Sequence, residues 1–178
     1  MAATECKVCG ATLEFVPGRT VGVCPACGYE TTFPERKERL ADFNEGNRLR
    51  RSEEFKAAEA VFDRILAADA NDAEAYWCRA LCRWGVRYRR EAETDAFVPV
   101  PGIVYFDSFL DDKDYLRAAE LTEGEDRALV YMNDAIRIAK AALVVTSGVR
   151  GEDLSALLRE IIEEDSETDA EDGGSEAP

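Results

Sequence analysis

The chain has 178 residues, 37 acidic side chains against 22 basic ones, a net charge of −15, and no histidine. The missing histidine excludes Ser-His-Asp and Cys-His catalysis, histidine metal ligation and histidine pH switching within the chain, and the acidic balance disfavours general binding to nucleic acid or an anionic membrane. No apolar run approaches the ~20 residues needed to span a bilayer, and the N-terminus lacks the basic and apolar regions of a secretory signal, so a cytoplasmic location is expected, where six cysteines point to metal or buried thiols ahead of disulfides.

Four of those cysteines come first. Cys6-Lys-Val-Cys9-Gly10 and Cys24-Pro-Ala-Cys27-Gly28 are two Cys-x2-Cys-Gly knuckles. A two-residue gap lets both thiolates of a knuckle reach one ion, and the glycine permits the turn that frees amides to donate to sulfur. Between and after them, Thr12–Val16, Arg19–Cys24 and Tyr29–Phe33 alternate and are rich in β-branched and aromatic residues, the pattern of short strands. Residues 1–35 therefore read as a zinc ribbon holding one structural Zn2+ on Cys6, Cys9, Cys24 and Cys27. Two disulfides are the alternative, disfavoured by the missing signal, and a redox pair would need one such motif in a βαβ context. Four thiolates fill a tetrahedral site, so no position is left for water or substrate.

Pro34-Glu-Arg-Lys37 closes the ribbon and is expected to act as a short hinge between separable cores. Residues 36–164 then read as helical. One helix carries Leu40, Phe43, Asn47 and Arg50, the next follows Ser52 as N-cap, and a third runs from Ala73 to Trp84 after the Asn71-Asp72 break. The third begins 34 residues after the first, with Gly46 and Ala80 small at one shared position, which is the period of a tetratricopeptide unit. An array of this kind needs about three units, so later helices must cap it. An extended insertion near 91–109, containing Val98-Pro-Val-Pro-Gly102, is predicted as an ordered loop or hairpin. Asp112 then suits the N-cap of a short helix. Thr122-Glu-Gly-Glu125 reads as a capping box for a long helix carrying Leu129, Met132, Ile136, Ala139 and Leu143. Leu154, Leu157, Leu158, Ile161 and Ile162 suggest a last amphipathic helix over 152–164, and the acidic tail 165–178 has almost nothing to bury and is expected to be disordered.

Two surfaces are candidates for binding. The inward stripe of the repeat's first helices, Phe43, Asn47, Arg50 and Arg51 continued by Trp77, Leu81 and Trp84, combines aromatic and arginine residues as interaction hot spots do, and is the expected site for a protein partner. Arg79, Arg83, Arg87 and Arg90 recur at helical spacing around Trp84 and Tyr88 and form the alternative, a nucleic-acid surface, against which stands the plainer account of a solvated face paired with carboxylates. Cys78 and Cys82 lack further partners and read as buried small hydrophobes. No phosphate-cradling glycine loop, nucleophile elbow or open metal site is visible, so no enzyme and no small-molecule substrate is expected.

The knuckles together with Asn44-x2-Asn47-x-Leu49-Arg50-Arg51, Ala73-Glu-Ala-Tyr-Trp77, Leu81-Cys82-x-Trp84-Gly85-Val86-x-Tyr88 and Asp111-Asp-x-Asp-Tyr115 resemble, over roughly residues 5–140, the N-terminal module of a bacterial protein family in which a zinc ribbon and tetratricopeptide-like helices precede a Toll/interleukin-1 receptor (TIR) domain. The pattern departs at its end, where Ala141–Ser147 passes toward the acidic tail and leaves no room for that domain or its catalytic glutamate. The resemblance implies an accessory module with a regulatory, scaffolding or partner-binding role in bacterial signalling or defence. The fold expected is mainly α with a small β zinc ribbon, a non-enzymatic adaptor that binds another protein.

Overall fold

The computed structural model describes residues 3–105 and 107–147. Two short antiparallel hairpins come first. β1 (Ala3–Glu5) pairs with β2 (Thr12–Glu14), Thr4 opposite Leu13, and β3 (Val21–Val23) pairs with β4 (Glu30–Thr32), Gly22 opposite Thr31. Each hairpin carries one Cys-x2-Cys knuckle at its turn. Val8, Leu13 and Tyr29 form with Cys6 and Cys24 a core of five side chains, far less than isolated three-residue strands need for stability.

The helices follow as α1 (Leu40–Arg51), α2 (Phe55–Ala68), α3 (Ala73–Arg83), α4 (Lys113–Leu121) and α5 (Glu125–Ser147), with α1 packed on α2, α2 on α3 and α3 on α4. Between α3 and α4 the insertion forms a hairpin, β5 (Arg87–Arg90) antiparallel to β6 (Phe97–Val100), and returns through a 3-10 turn at Phe109–Asp111. Gly85 ends α3 in the left-handed region at φ 56°, and its amide closes the helix on the Cys82 carbonyl at 2.9 Å, the usual role of glycine just past a helix. Gly46 serves contact instead: a Cβ there would sit 2.5 Å from Cζ of Phe62. Gly46→Ala should therefore destabilise the protein by ~1–3 kcal/mol through overpacking, although alanine is the better helix former by ~1 kcal/mol. Chemical denaturation of the two proteins checks the sign.

Several local signals resolve differently from the sequence expectation. Ser52 ends α1, its amide on the Arg48 carbonyl at 3.0 Å, and α2 starts after Glu54 with no side-chain cap. The Thr122 hydroxyl donates back to the Ala118 carbonyl at 2.6 Å and so closes α4 rather than opening α5. Asp112 does cap α4, accepting from the amides of Asp114 and Tyr115 at 2.8 and 3.2 Å, and Asp72 accepts from Ala75 at 3.0 Å to start α3.

The largest difference is the rotation of α5. Its core face is Val130, Tyr131, Ala135, Ile138 and Ala142. The stripe read from the sequence points the other way, with Leu129 49% and Met132 43% exposed. Helix α5 is apolar on two faces, and its core face is disguised by Arg127 and Asp134, which are buried with polar partners. The expected 152–164 helix and the 165–178 tail lie outside the described residues.

The described residues up to Ala142 form one compact unit, within which ribbon and helices share buried polar contacts. After the Pro34–Arg36 segment a 3-10 turn at Lys37–Arg39 leads directly into α1.

Candidate metal centre

The hairpins bring Cys6, Cys9, Cys24 and Cys27 together with all four Sγ atoms within 4.8 Å of one another. Across the knuckles, Cys6 Sγ is 3.8 Å from Cys27 Sγ and Cys9 Sγ is 3.8 Å from Cys24 Sγ. Disulfides bring sulfurs to about 2.05 Å, whereas thiolates bonded at ~2.3 Å at the corners of a tetrahedron stand ~3.8 Å apart. All four are free thiols, and the donor set fits one four-coordinate metal ion. The two knuckles repeat one another. Gly10 donates to the Cys6 carbonyl at 2.9 Å and Gly28 to the Cys24 carbonyl at 2.8 Å, both glycines being left-handed at φ 79° and 71°. The amides of Cys6 and Cys24 reach across to Ala11 and Tyr29, each at 2.9 Å.

The first knuckle faces the helices and is pinned to them. Lys7, between its two cysteines, is buried and extends its ammonium to Thr32 Oγ1 at 2.6 Å and to the carboxylate of Glu74 on α3. Glu74 also accepts from Tyr131 Oη at 2.8 Å. Burial pushes its carboxyl up, but Lys7 and Arg127 outweigh that and hold it below the ordinary carboxylate range. Arg51 donates to the Cys6 carbonyl at 3.0 Å and to Glu5 at 2.6 Å. Arg127 of α5 holds the end of the ribbon through the Phe33 carbonyl and Glu35, both at 2.5 Å. Tyr29 of the second hairpin donates to Asp134, which also accepts from Tyr88 at 3.3 Å; burial raises the carboxyl of Asp134.

These contacts correct the expected partner surface. Phe43, Asn47, Arg50, Trp77, Leu81 and Trp84 are all 5% exposed or less, and only Arg51 is half-buried. The reason is that α2, α5, the ribbon and the segment after the hairpin cover these side chains. Tyr131 stacks on Trp77 at 4.8 Å, and Trp84 packs edge-on against Tyr105 and Phe109 at 4.9 and 5.3 Å. Arg50 crosses the ribbon boundary, donating to the carbonyls of Val86 and Lys7 with its guanidinium 5.3 Å over the Tyr88 ring. Charge reversal at Arg50 is consequently a core mutation.

The arginine stripe is also broken up. Helix α3 stops at Arg83, so Arg87 and Arg90 lie on β5. Arg79 is bidentate to Asp114 at 2.8 and 2.9 Å and reaches Asp63 at 2.7 Å, Arg83 binds Asp112 and Asp114, and Arg90 binds Asp95 at 2.7 Å. Asp114 is buried, which opposes its charge, but Arg79 and Arg83 hold its carboxyl below the usual range. Asp112 joins this cluster by accepting from Trp84 Nε1 at 3.0 Å while capping α4. Asp112→Ala removes a cap worth ~1 kcal/mol and strands a buried indole N–H at ~1–3 kcal/mol, so a loss of about 2–4 kcal/mol is expected, measurable by urea denaturation. Cys78 and Cys82 are buried, and burial pushes the Cys82 thiol up to about 12. No other cluster of metal-ligating side chains occurs among the described residues. No protein-family model, curated protein or solved structure gives a match to this chain.

Proposed function

We propose that the chain is a zinc-stabilised, non-enzymatic adaptor whose helices form a tetratricopeptide-like array, with the outer face of α5 as its contact surface. The observation that carries this reading is that α5 is apolar on both sides. One side joins the core through Tyr131, Ala135 and Ile138, while Leu129 and Met132 stand about half exposed, with Ile136 half-buried on the same stripe. An apolar helix stripe left in water is the usual docking face for an amphipathic helix of another protein. The pairing of α1 with α2 and of α3 with α4 supports the repeat reading, the hairpin being an insertion within the second pair. Zinc is favoured because four thiolates close the coordination sphere, which suits a structural and not a catalytic ion. The resemblance described above would place such an adaptor in bacterial signalling or defence.

The test uses a photo-crosslinking residue at Met132 in cells, comparing the native chain with Leu129→Asp/Ile136→Asp, and measures zinc in the same purified preparations. One zinc per chain in both, with a crosslinked protein lost only in the double variant, is the expected result. Equal crosslinking in both rejects the surface, and disulfide-bonded cysteines without metal reject the zinc centre.

A further inference from the structure

The first knuckle, the end of α1 and strand β5 enclose a pocket of about 210 Å3. Four arginines line it, Arg50 and Arg51 from the helix and Arg87 and Arg89 from the strand, with Val8 and Tyr88 as walls. In the sequence Arg50 and Arg51 belong to the expected partner stripe and Arg87 to the arginine stripe, while Arg89 belongs to neither. The fold brings them to one place, in a chain whose net charge is −15.

Their hydrogen bonding is incomplete there. Arg50 is 1% exposed and both of its Nη atoms are engaged, yet its Nε is buried with no acceptor. Arg87 Nε is likewise buried and unpartnered. Buried N–H groups without an acceptor are rare in folded proteins; of the three such side-chain groups among the described residues, one is Arg127 Nε elsewhere and two belong to arginines lining this pocket, where they point to an acceptor. Arg89 is exposed and makes no ion pair among the described residues. The resident carboxylate is weakly held: Glu53 lies 3.4 Å from Arg87 Nη1 through each oxygen, beyond the usual length of a charge-assisted bond. Glu53 sits in the left-handed region at φ 64° in the turn between α1 and α2, a conformation costly for a non-glycine residue, and lines the pocket beside Arg87.

We propose that this pocket binds a phosphate group, which displaces the Glu53 carboxylate and accepts from Arg50 Nε, Arg87 and Arg89. Guanidinium donors match the several oxygens of a phosphate better than any single carboxylate does. The volume is below that of pockets for drug-sized ligands, so a compact anion is favoured over a nucleic-acid strand. Inorganic phosphate and the phosphate of a small ester share this chemistry.

The metal-loaded full chain is titrated with inorganic phosphate, with adenosine 5′-monophosphate and with adenosine, each against sodium chloride at matched ionic strength, while the arginine Nε–H resonances are followed by NMR. Saturable movement of the Arg50 and Arg87 signals with a Kd of ~1 mM or tighter is expected for phosphate or the nucleotide and not for adenosine. A nucleotide that binds no better than phosphate identifies the free ion as sufficient, and one that binds about tenfold tighter identifies an ester as the ligand. Arg87→Gln should weaken binding about tenfold, and Glu53→Gln should tighten it about threefold. Arg89→Gln, at an exposed position, serves as the second variant if Arg87→Gln does not fold. No saturable shift below ~20 mM, equal binding by the arginine variants, or binding of a single-stranded oligonucleotide without any response to phosphate or nucleotide would each overturn the pocket.

Discussion

Removing a metal ion held by the four cysteines should lower the thermal midpoint of the whole helical body, not of the ribbon alone. Structural zinc contributes apparent free energies of ~10–16 kcal/mol, comparable with the entire 5–15 kcal/mol stability of a typical domain. The five-residue core around the cysteines cannot replace it. Once the knuckles open, Lys7 leaves Glu74, Arg50 loses the Lys7 carbonyl, and Arg127 loses Phe33 and Glu35. Charges buried in the helical body then lose part of their pairing, and breaking such a buried pair costs several kcal/mol. Cys9→Ser, or a strong chelator applied to the native chain, should give one transition shifted down by at least ~10 °C, given ~2–4 °C per kcal/mol at this size. Helical circular dichroism and metal release followed in one melt provide the measurement. A helical midpoint unchanged after metal loss would show that the two parts are separable.

The second large effect belongs to the Lys7–Glu74 pair, whose side chains are 5% and 2% exposed. Lys7→Met leaves Glu74 with Arg127 and Tyr131 but without its closest cation, and breaking a buried pair from one side costs ~3–5 kcal/mol. Lys7→Met/Glu74→Leu should recover a good part of this, since neither charge is then stranded. The pH dependence follows from direction. Glu74 in the fold holds its proton less tightly than an ordinary glutamate, whose pKa is about 4.3, so its stabilisation is complete above that pH and is lost as pH falls through the lower folded value. Lys7→Met removes the main cause, and the gap between variant and native protein should be widest at neutral pH and narrow toward pH 4. Asp72 acts in the opposite sense: burial raises it to about 6, and it favours the fold as pH falls through that value in both proteins. Urea midpoints of native and variant at several pH values test this, and a gap independent of pH would remove Glu74 as the cause.

What the sequence revealed depended on the range of each interaction. The cysteine knuckles, the Asp112 cap and the hairpin were legible because spacing and turn chemistry act within a few residues. The roles of Arg50 and Lys7 were hidden because a charged side chain is ordinarily exposed, and their partners lie 36 and 67 residues away. Helix α5 misled through its composition. Its more regular apolar stripe faces water, while the core face contains Arg127 and Asp134, whose partners include the ribbon's distant Phe33, Glu35 and Tyr29. Thr122 failed as a cap signal because its hydroxyl had a nearer acceptor one turn back.

The Tyr29–Asp134 hydrogen bond joins residues 105 apart in the chain. Ribosomes deliver ~5–20 residues each second, so the ribbon waits roughly 5–20 s for its last neighbour after it has left the exit tunnel. During that interval the four cysteines can meet, but Tyr29 and the Phe33 carbonyl lack their α5 partners. A nascent chain halted before α5 therefore presents a ribbon with an open flank, and the emergence of α5 is the event that closes it.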